Sequence, residues 1–210
     1  MHAAFMQRST GWYWPPSNVD FCESNHVASP FVAELVNTLS SLPLVAAGAF
    51  ATHLAISERY GTRFVLCSLA MLLTGVGSAA FHASLLFASQ LLDELSMVAT
   101  VCAFLAALAV EPEAGAKGRQ RRTAQRCRND WRRLVVPLAA ALYMLAFGAS
   151  YVLVAREAHS FFVLPFCGLV CLLFYRARRA IMAVADEGGT LQRMLASVLV
   201  TSGIAFFLFW

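Results

Sequence analysis

An all-α integral membrane protein of six transmembrane helices is what this sequence predicts, on three observations. Hydrophobic residues fill 59% of the 210 positions and charged residues 13%, with a mean hydropathy of +0.64. An average globular chain is about 25% charged. Apolar runs recur at lengths near the ~20 residues that a helix needs to cross a bilayer. Lys and Arg collect in alternate connections between those runs. The spans read as about 33–56, 64–85, 90–110, 134–155, 160–176 and 192–210, within a single domain over 1–210.

Each element has its own signal. Residues 1–32 precede the first span, and no apolar stretch in them has the length of a secretory signal, so none is expected to be cleaved. Trp12, Tyr13 and Trp14 form an aromatic cluster of the kind that sits at a membrane interface. Spans two and three are separated by only about Ser84 to Ser89, which predicts an antiparallel hairpin. Glu111-Pro112 ends the third span and opens the longest connection. Asp186-Glu187-Gly188-Gly189 is a polar turn before the sixth span. The last residues, Phe207-Leu208-Phe209-Trp210, are still apolar, which leads us to expect a truncated chain.

The charge pattern sets orientation and excludes other classes. Of the 16 Lys and Arg residues, Arg59 and Arg63 follow the first span, eight lie from Lys117 to Arg133, and four are Arg176, Arg178, Arg179 and Arg193. Only Arg8 and Arg156 fall on the other side. That bias places the odd-numbered loops in the cytosol and the N-terminus in the lumen or outside. The formal charge of +4 is therefore topogenic, with the 117–133 loop suited to anionic membrane lipids rather than nucleic acid. A transporter or channel would need polar residues lining several helices, and spans four to six have almost none.

Cysteines 22, 67, 102, 127, 167 and 171 include no C-x-x-C pair and no zinc-ribbon spacing. Four lie in spans, where Cys behaves as a small apolar residue. Cys22 lies on the oxidising side, where no other Cys clearly joins it.

Two stretches carry chemistry. In Gly77-Ser78-Ala79-Ala80-Phe81-His82, Ser78 and His82 are four apart and share one helix face. Asp93 and Glu94, in Gln90-Leu91-Leu92-Asp93-Glu94-Leu95, open the next helix across the short hairpin. Ionisable groups at membrane depth are costly and mark functional sites by default. A hydrolytic zinc site needs about three protein ligands and a water, and this hairpin supplies one imidazole, one hydroxyl and one carboxylate. The residues alone leave two readings open: part of a metal site, or a hairpin in which Ser78 bonds its own backbone and His82 pairs with Asp93. The other stretch puts Asp20, Glu23, Asn25 and Glu34 within 15 residues. Its oxygens suit Ca²⁺, which takes 6–8 of them, without the spacing of an EF-hand. A solvated acidic loop with a helix cap is the alternative, and Glu34, at the apolar border, weighs against simple solvation.

These stretches resemble the alkaline ceramidases, seven-helix membrane amidases related to the adiponectin receptors. The family's first motif runs roughly D-W-C-E-x-N-Y…A-E-F-W-N-T, and this sequence has D-F-C-E-S-N-H…A-E-L-V-N-T. The second runs roughly G-x-G-S-x-x-F-H-x-T-L…Q-L-x-D-E-L-P-M, and this sequence has G-V-G-S-A-A-F-H-A-S-L…Q-L-L-D-E-L-S-M. The likeness extends from Gly11 to about Met97. It implies a calcium site at Asp20, Glu23, Asn25 and Glu34 with the backbone carbonyl of Phe21, and a zinc ligand at His82. It implies Asp93 as the base and Ser78 as the group that stabilises the oxyanion. The implied reaction is hydrolysis of the ceramide amide to sphingoid base and fatty acid, in an endoplasmic reticulum or Golgi membrane with the N-terminus luminal. The resemblance also implies two more zinc ligands in an H-x-x-x-H on a seventh helix, and a disulfide partner for Cys22 after the sixth. Neither is found here, since the other histidines are His2, His26, His53 and His159. Six of seven helices, calcium binding and doubtful turnover are the expectation; the alternative is an inactive or receptor-like sphingolipid-binding membrane protein.

Overall fold

The computed structural model describes residues 16–109, 138–150 and 160–182, with the single positions 135, 153, 189, 193, 196, 197 and 200. Among them are five helices: α1 (Leu35–Ser57), α2 (Thr62–Ser84), α3 (Phe87–Ala109), α4 (Leu138–Ser150) and α5 (Ser160–Met182). The first three are long and apolar enough to cross a membrane. The protein is an all-helical membrane protein. The sixth expected span lies almost wholly outside the described residues, as do Trp12 to Trp14 and the basic 117–133 loop.

The first three helices begin and end within three residues of the apolar runs that predict them, and the departures have local causes. α3 starts at Phe87, not at residue 90, because the Gln90 N–H already reaches the Leu86 carbonyl at 2.9 Å. Asp93 and Glu94 therefore sit in its second turn rather than opening it. α5 runs on to Met182, beyond the expected 176, since Arg176, Arg178 and Arg179 are good helix formers although they end an apolar run. α1 ends in a Schellman arrangement: Arg59 has φ of 54°, its N–H bonds Ile56 C=O at 3.2 Å and the Tyr60 N–H bonds Ala55 C=O at 3.1 Å.

The described residues fall into two compact units, one of residues up to 100 with 142–162, the other of 101–141 and those from 163 on. In the first, α1 and α2 pack with their backbones in contact. A Cβ built on Gly48 would fall 2.6 Å from Leu72 Cα, and one on Gly75 would fall 2.7 Å from Val45 N. Close approach through small residues is the usual way helices associate in lipid, where apolar burial gives no drive. α3 lies against α2 through Gly77, whose added Cβ would meet Asp93 Cα at 3.1 Å, and through the Thr74 and Thr100 hydroxyls 2.8 Å apart. Gly148 of α4 faces the Leu95 side chain, with 3.6 Å to an added Cβ. In the second unit, Phe166 and Val170 of α5 are buried.

Residues 16–34 form a strap over the C-terminal end of α2. The last carbonyls of a helix lack intrahelical partners, and here the strap supplies them. Glu34 N–H bonds His82 C=O at 3.0 Å, Ala33 N–H bonds Ala83 C=O at 3.0 Å, and Ser17 N–H bonds Leu85 C=O at 2.9 Å. Leu85 closes α2 in the left-handed region with φ of 48°, and Pro16 pairs with Leu86 in one isolated antiparallel bridge. Within the strap, His26 turns at φ of 58° and donates its N–H to Ala33 C=O at 2.7 Å.

Candidate functional site

The strap joins the α2–α3 hairpin at His82. Glu34, with no exposed surface, is the junction. Its carboxylate accepts the Phe21 N–H at 3.1 Å, the Asn37 side-chain amide at 3.1 Å and the Nδ1 of His82 at 2.5 Å. The partner of His82 is thus Glu34, 48 residues away, and not Asp93. Phe21 lays its ring edge-on to His82, with centroids 5.1 Å apart, and Phe81 flanks the imidazole at the same separation.

Glu23 caps α1 from outside the helix. Its two oxygens accept the Val36 N–H at 2.8 Å and the Asn37 N–H at 2.9 Å, satisfying two of the orphan donors of the first turn. Glu34, at the N-cap position, makes no such bond. The Val36 N–H above all, with that of Asn37, holds the Glu23 carboxyl below its ordinary value of 4.5. Asp20 and Asn25 form a second pair, with the Asn25 amide 3.0 and 3.2 Å from the two Asp20 oxygens. The oxygen-rich segment is therefore arranged as two hydrogen-bonded pairs, Asp20 with Asn25 and Glu23 with Glu34 through Asn37. Among the described residues no three of His, Cys, Asp and Glu converge as a metal shell. The donor chemistry still fits a hard cation, because every oxygen engaged by an N–H keeps a further lone pair.

On α2, Ser78 bonds across to α1, its Oγ 3.0 Å from Ser41 Oγ, rather than to its own backbone. Asp93 comes beside α2 at Gly77, the residue before Ser78, and its carboxylate Oδ1 is buried without a hydrogen-bond partner among the described residues. Ser96 fixes this turn by donating its hydroxyl to Asp93 C=O at 2.8 Å. The His82 side suits a soft divalent metal: an imidazole whose Nδ1 is taken by a carboxylate presents Nε2 as the ligating nitrogen. A buried carboxylate oxygen without a donor fits a base waiting for a water.

Two polar residues make contacts that their place in the sequence does not assign them. Gln90 is fully buried and bridges the strap to α3, accepting the Asn18 N–H at 2.8 Å and donating to Glu94 at 2.9 Å. Ser41 is buried and reaches Ser78. Their signal is only a polar residue inside an apolar run. Cys22 is exposed and its thiol is free.

An imidazole held by a buried carboxylate, on a helix hairpin that also carries Ser78 and the buried Asp93, defines the class: a membrane-helix protein with a polar site set into its apolar helices. A model of the Ceramidase family matches residues 14–210, and the chain belongs to the alkaline ceramidase family. It is 40% identical over 95 residues to alkaline ceramidase 3 of Mus musculus, a stretch covering 44% of this chain and 36% of that protein. It is 38% identical over 91 residues to alkaline ceramidase YPC1 of Saccharomyces cerevisiae, covering 43% and 29%. It is 38% identical over 85 residues to alkaline ceramidase 1 of Homo sapiens, covering 39% and 32%. The chain thus spans about a third of the length of these curated relatives.

Proposed function

We propose that this protein hydrolyses the amide bond of ceramide-type lipids within the membrane, releasing sphingoid base and fatty acid. The observation that carries the reading is the His82 imidazole, oriented through Nδ1 by the buried Glu34 carboxylate and set four residues after Ser78 on α2. His82 would hold zinc through Nε2, as part of a ligand set completed by residues other than those described. Zinc, when bound, supplies a Lewis acid that polarises the carbonyl and brings the pKa of water towards ~7. Asp93 accepts the proton of the attacking water at its carboxylate. Ser78 donates its hydroxyl to the oxygen on which negative charge develops. Glu34 keeps the imidazole in one tautomer and one orientation. Apolar helix faces around the hairpin admit a lipid from the side and exclude bulk water.

The cation proposed for the strap is calcium, held by Asp20, Glu23, Asn25 and Glu34 with the Phe21 carbonyl. It would tie the strap to the start of α1. Changing Glu23 and Glu34 to Gln together removes the calcium-dependent rise in melting temperature; an undiminished rise overturns the assignment. The full proposal is a bundle with six spans in this chain, in the endoplasmic reticulum or Golgi membrane, with a luminal N-terminus.

Turnover of a long-chain ceramide by the intact protein in membranes tests the reaction. His82→Ala and Asp93→Asn each abolish it, and Ser78→Ala lowers it by about a hundredfold. Full turnover in either of the first two variants sinks the reading. The rival reading is a sphingolipid-binding membrane protein without turnover. Ceramide binding without hydrolysis by the intact protein identifies that case.

A further inference from the structure

We propose that Ser41 is a positioning residue for Ser78, serving as a hydroxyl relay that frees and polarises the Ser78 proton. The inference rests on the hydrolase reading of Ser78 given above. It comes from counting hydrogens. Ser41 Oγ lies 3.0 Å from both Asn37 C=O and Ser78 Oγ, and a hydroxyl has one proton. If Ser41 gives that proton to Asn37, Ser78 must be the donor between the two serines, and its proton is spent. If Ser41 turns its proton to Ser78, the Ser78 proton is released to face a substrate oxygen, and the hydroxyl that carries it is polarised by the incoming bond.

The second arrangement is cheap here because of Ser40. Its hydroxyl also donates to Asn37 C=O, at 2.9 Å. That carbonyl, already an acceptor in the helix, is oversubscribed with two serine hydroxyls and stays satisfied when Ser41 turns away. Asn37 itself is fixed from three sides, its N–H on Glu23, its side chain on Glu34 and its backbone in α1. Back-bonding of a mid-helix serine to the carbonyl three or four residues before is common and accounts for Ser40, which is exposed. It does not account for a buried Ser41 placed 3.0 Å from the hydroxyl of another helix.

Two measurements decide the matter. In ceramide turnover, Ser41→Ala lowers kcat about tenfold with KM unchanged. Ser41→Thr restores it, and Ser40→Ala, which removes only the second hydroxyl on the Asn37 carbonyl, lowers kcat by less than Ser41→Ala does. In a Ser78→Ala background Ser41→Ala has no further effect. Equal losses with and without the Ser78 hydroxyl, or no loss in the single variant, overturn the proposal. The second measurement needs no turnover. With Ser78→Cys, alkylation of that thiol by iodoacetamide, followed by mass spectrometry at fixed pH, is about fivefold slower when Ser41 is also Ala. A difference in alkylation without turnover in any variant removes the hydrolase reading and leaves the Ser41 contact standing. Equal alkylation rates remove the contact itself.

Discussion

Glu34 and His82 are joined twice, by side chain and by main chain. The carboxylate of Glu34 takes the imidazole Nδ1 at 2.5 Å, while the Glu34 N–H bonds the His82 carbonyl at 3.0 Å. The first bond sets the direction of the ring, and the second sets the strap against the end of α2. One residue thus ties the acidic segment to the helix that carries the candidate metal ligand. Glu34→Ala leaves the Phe21 N–H, the Asn37 amide and the His82 ring short of an acceptor in a part-buried place. One fully buried loss of this kind costs about 1–3 kcal/mol, so thermal unfolding in detergent should show a deficit of about 1–3 kcal/mol for the three together. A change below 1 kcal/mol would mean that water replaces the carboxylate.

The Glu23 cap gives the strap a pH dependence of definite sign. Its carboxyl is held below its ordinary value of 4.5, first by the Val36 N–H and then by that of Asn37. A depressed folded value means that the unfolded chain binds the proton more readily. The contribution is therefore complete above the ordinary value and is lost as pH falls through the lower, folded one. Melting temperature measured from pH 6 down to pH 3 should fall more steeply for wild type than for Glu23→Gln, which cannot titrate. Parallel curves would show that the cap does not contribute.

The sequence makes the first three helices legible because lipid imposes a length and an apolar composition on each. Ser78 and His82 are readable as neighbours from a four-residue spacing alone, and the apolar border hints that Glu34 is buried. What stays hidden depends on the strap. Nothing local says that Glu23 caps a helix that starts 12 residues later, or that the partner of His82 comes from before α1. Gln90 and Ser41 are hidden for the same reason, since each is a short polar side chain whose partner lies on another element. The start of α3 is hidden too, because Ser89 breaks the apolar run inside a helix.

Orientation can be tested at two single positions, because none of the four Asn residues in the sequence lies in an N-x-Ser/Thr acceptor. Gln7→Asn creates N-R-S before the strap, and Arg121→Asn creates N-R-T in the basic connection. On the orientation proposed from the fourteen-to-two distribution of Lys and Arg, the first would lie in the lumen and the second in the cytosol. Glycosylation of the Gln7→Asn protein alone is expected on translation with microsomes. Modification at the second position only would reverse the topology.

The contact between α1 and α2 holds Ser41 beside Ser78, and it depends on two glycines. Gly75 lies three residues before Ser78, and a Cβ there would come 2.7 Å from Val45 N, four residues after Ser41. Gly48 meets the Leu72 backbone at 2.6 Å. Both obstacles are main chain, so no side-chain rotation relieves them and the helices must separate. Overpacking of this kind costs about 1–3 kcal/mol. Gly75→Ala should lower thermal stability by that amount and reduce oxidative cross-linking of a Ser41→Cys, Ser78→Cys pair. Gly168→Ala on α5 is the control, since its added Cβ meets nothing within 4 Å. If the two glycine variants behave alike, helix flexibility rather than close approach governs the stability of this pair. If only Gly75→Ala loses both stability and cross-linking, the separation of the backbones is what sets the reach between the two serines.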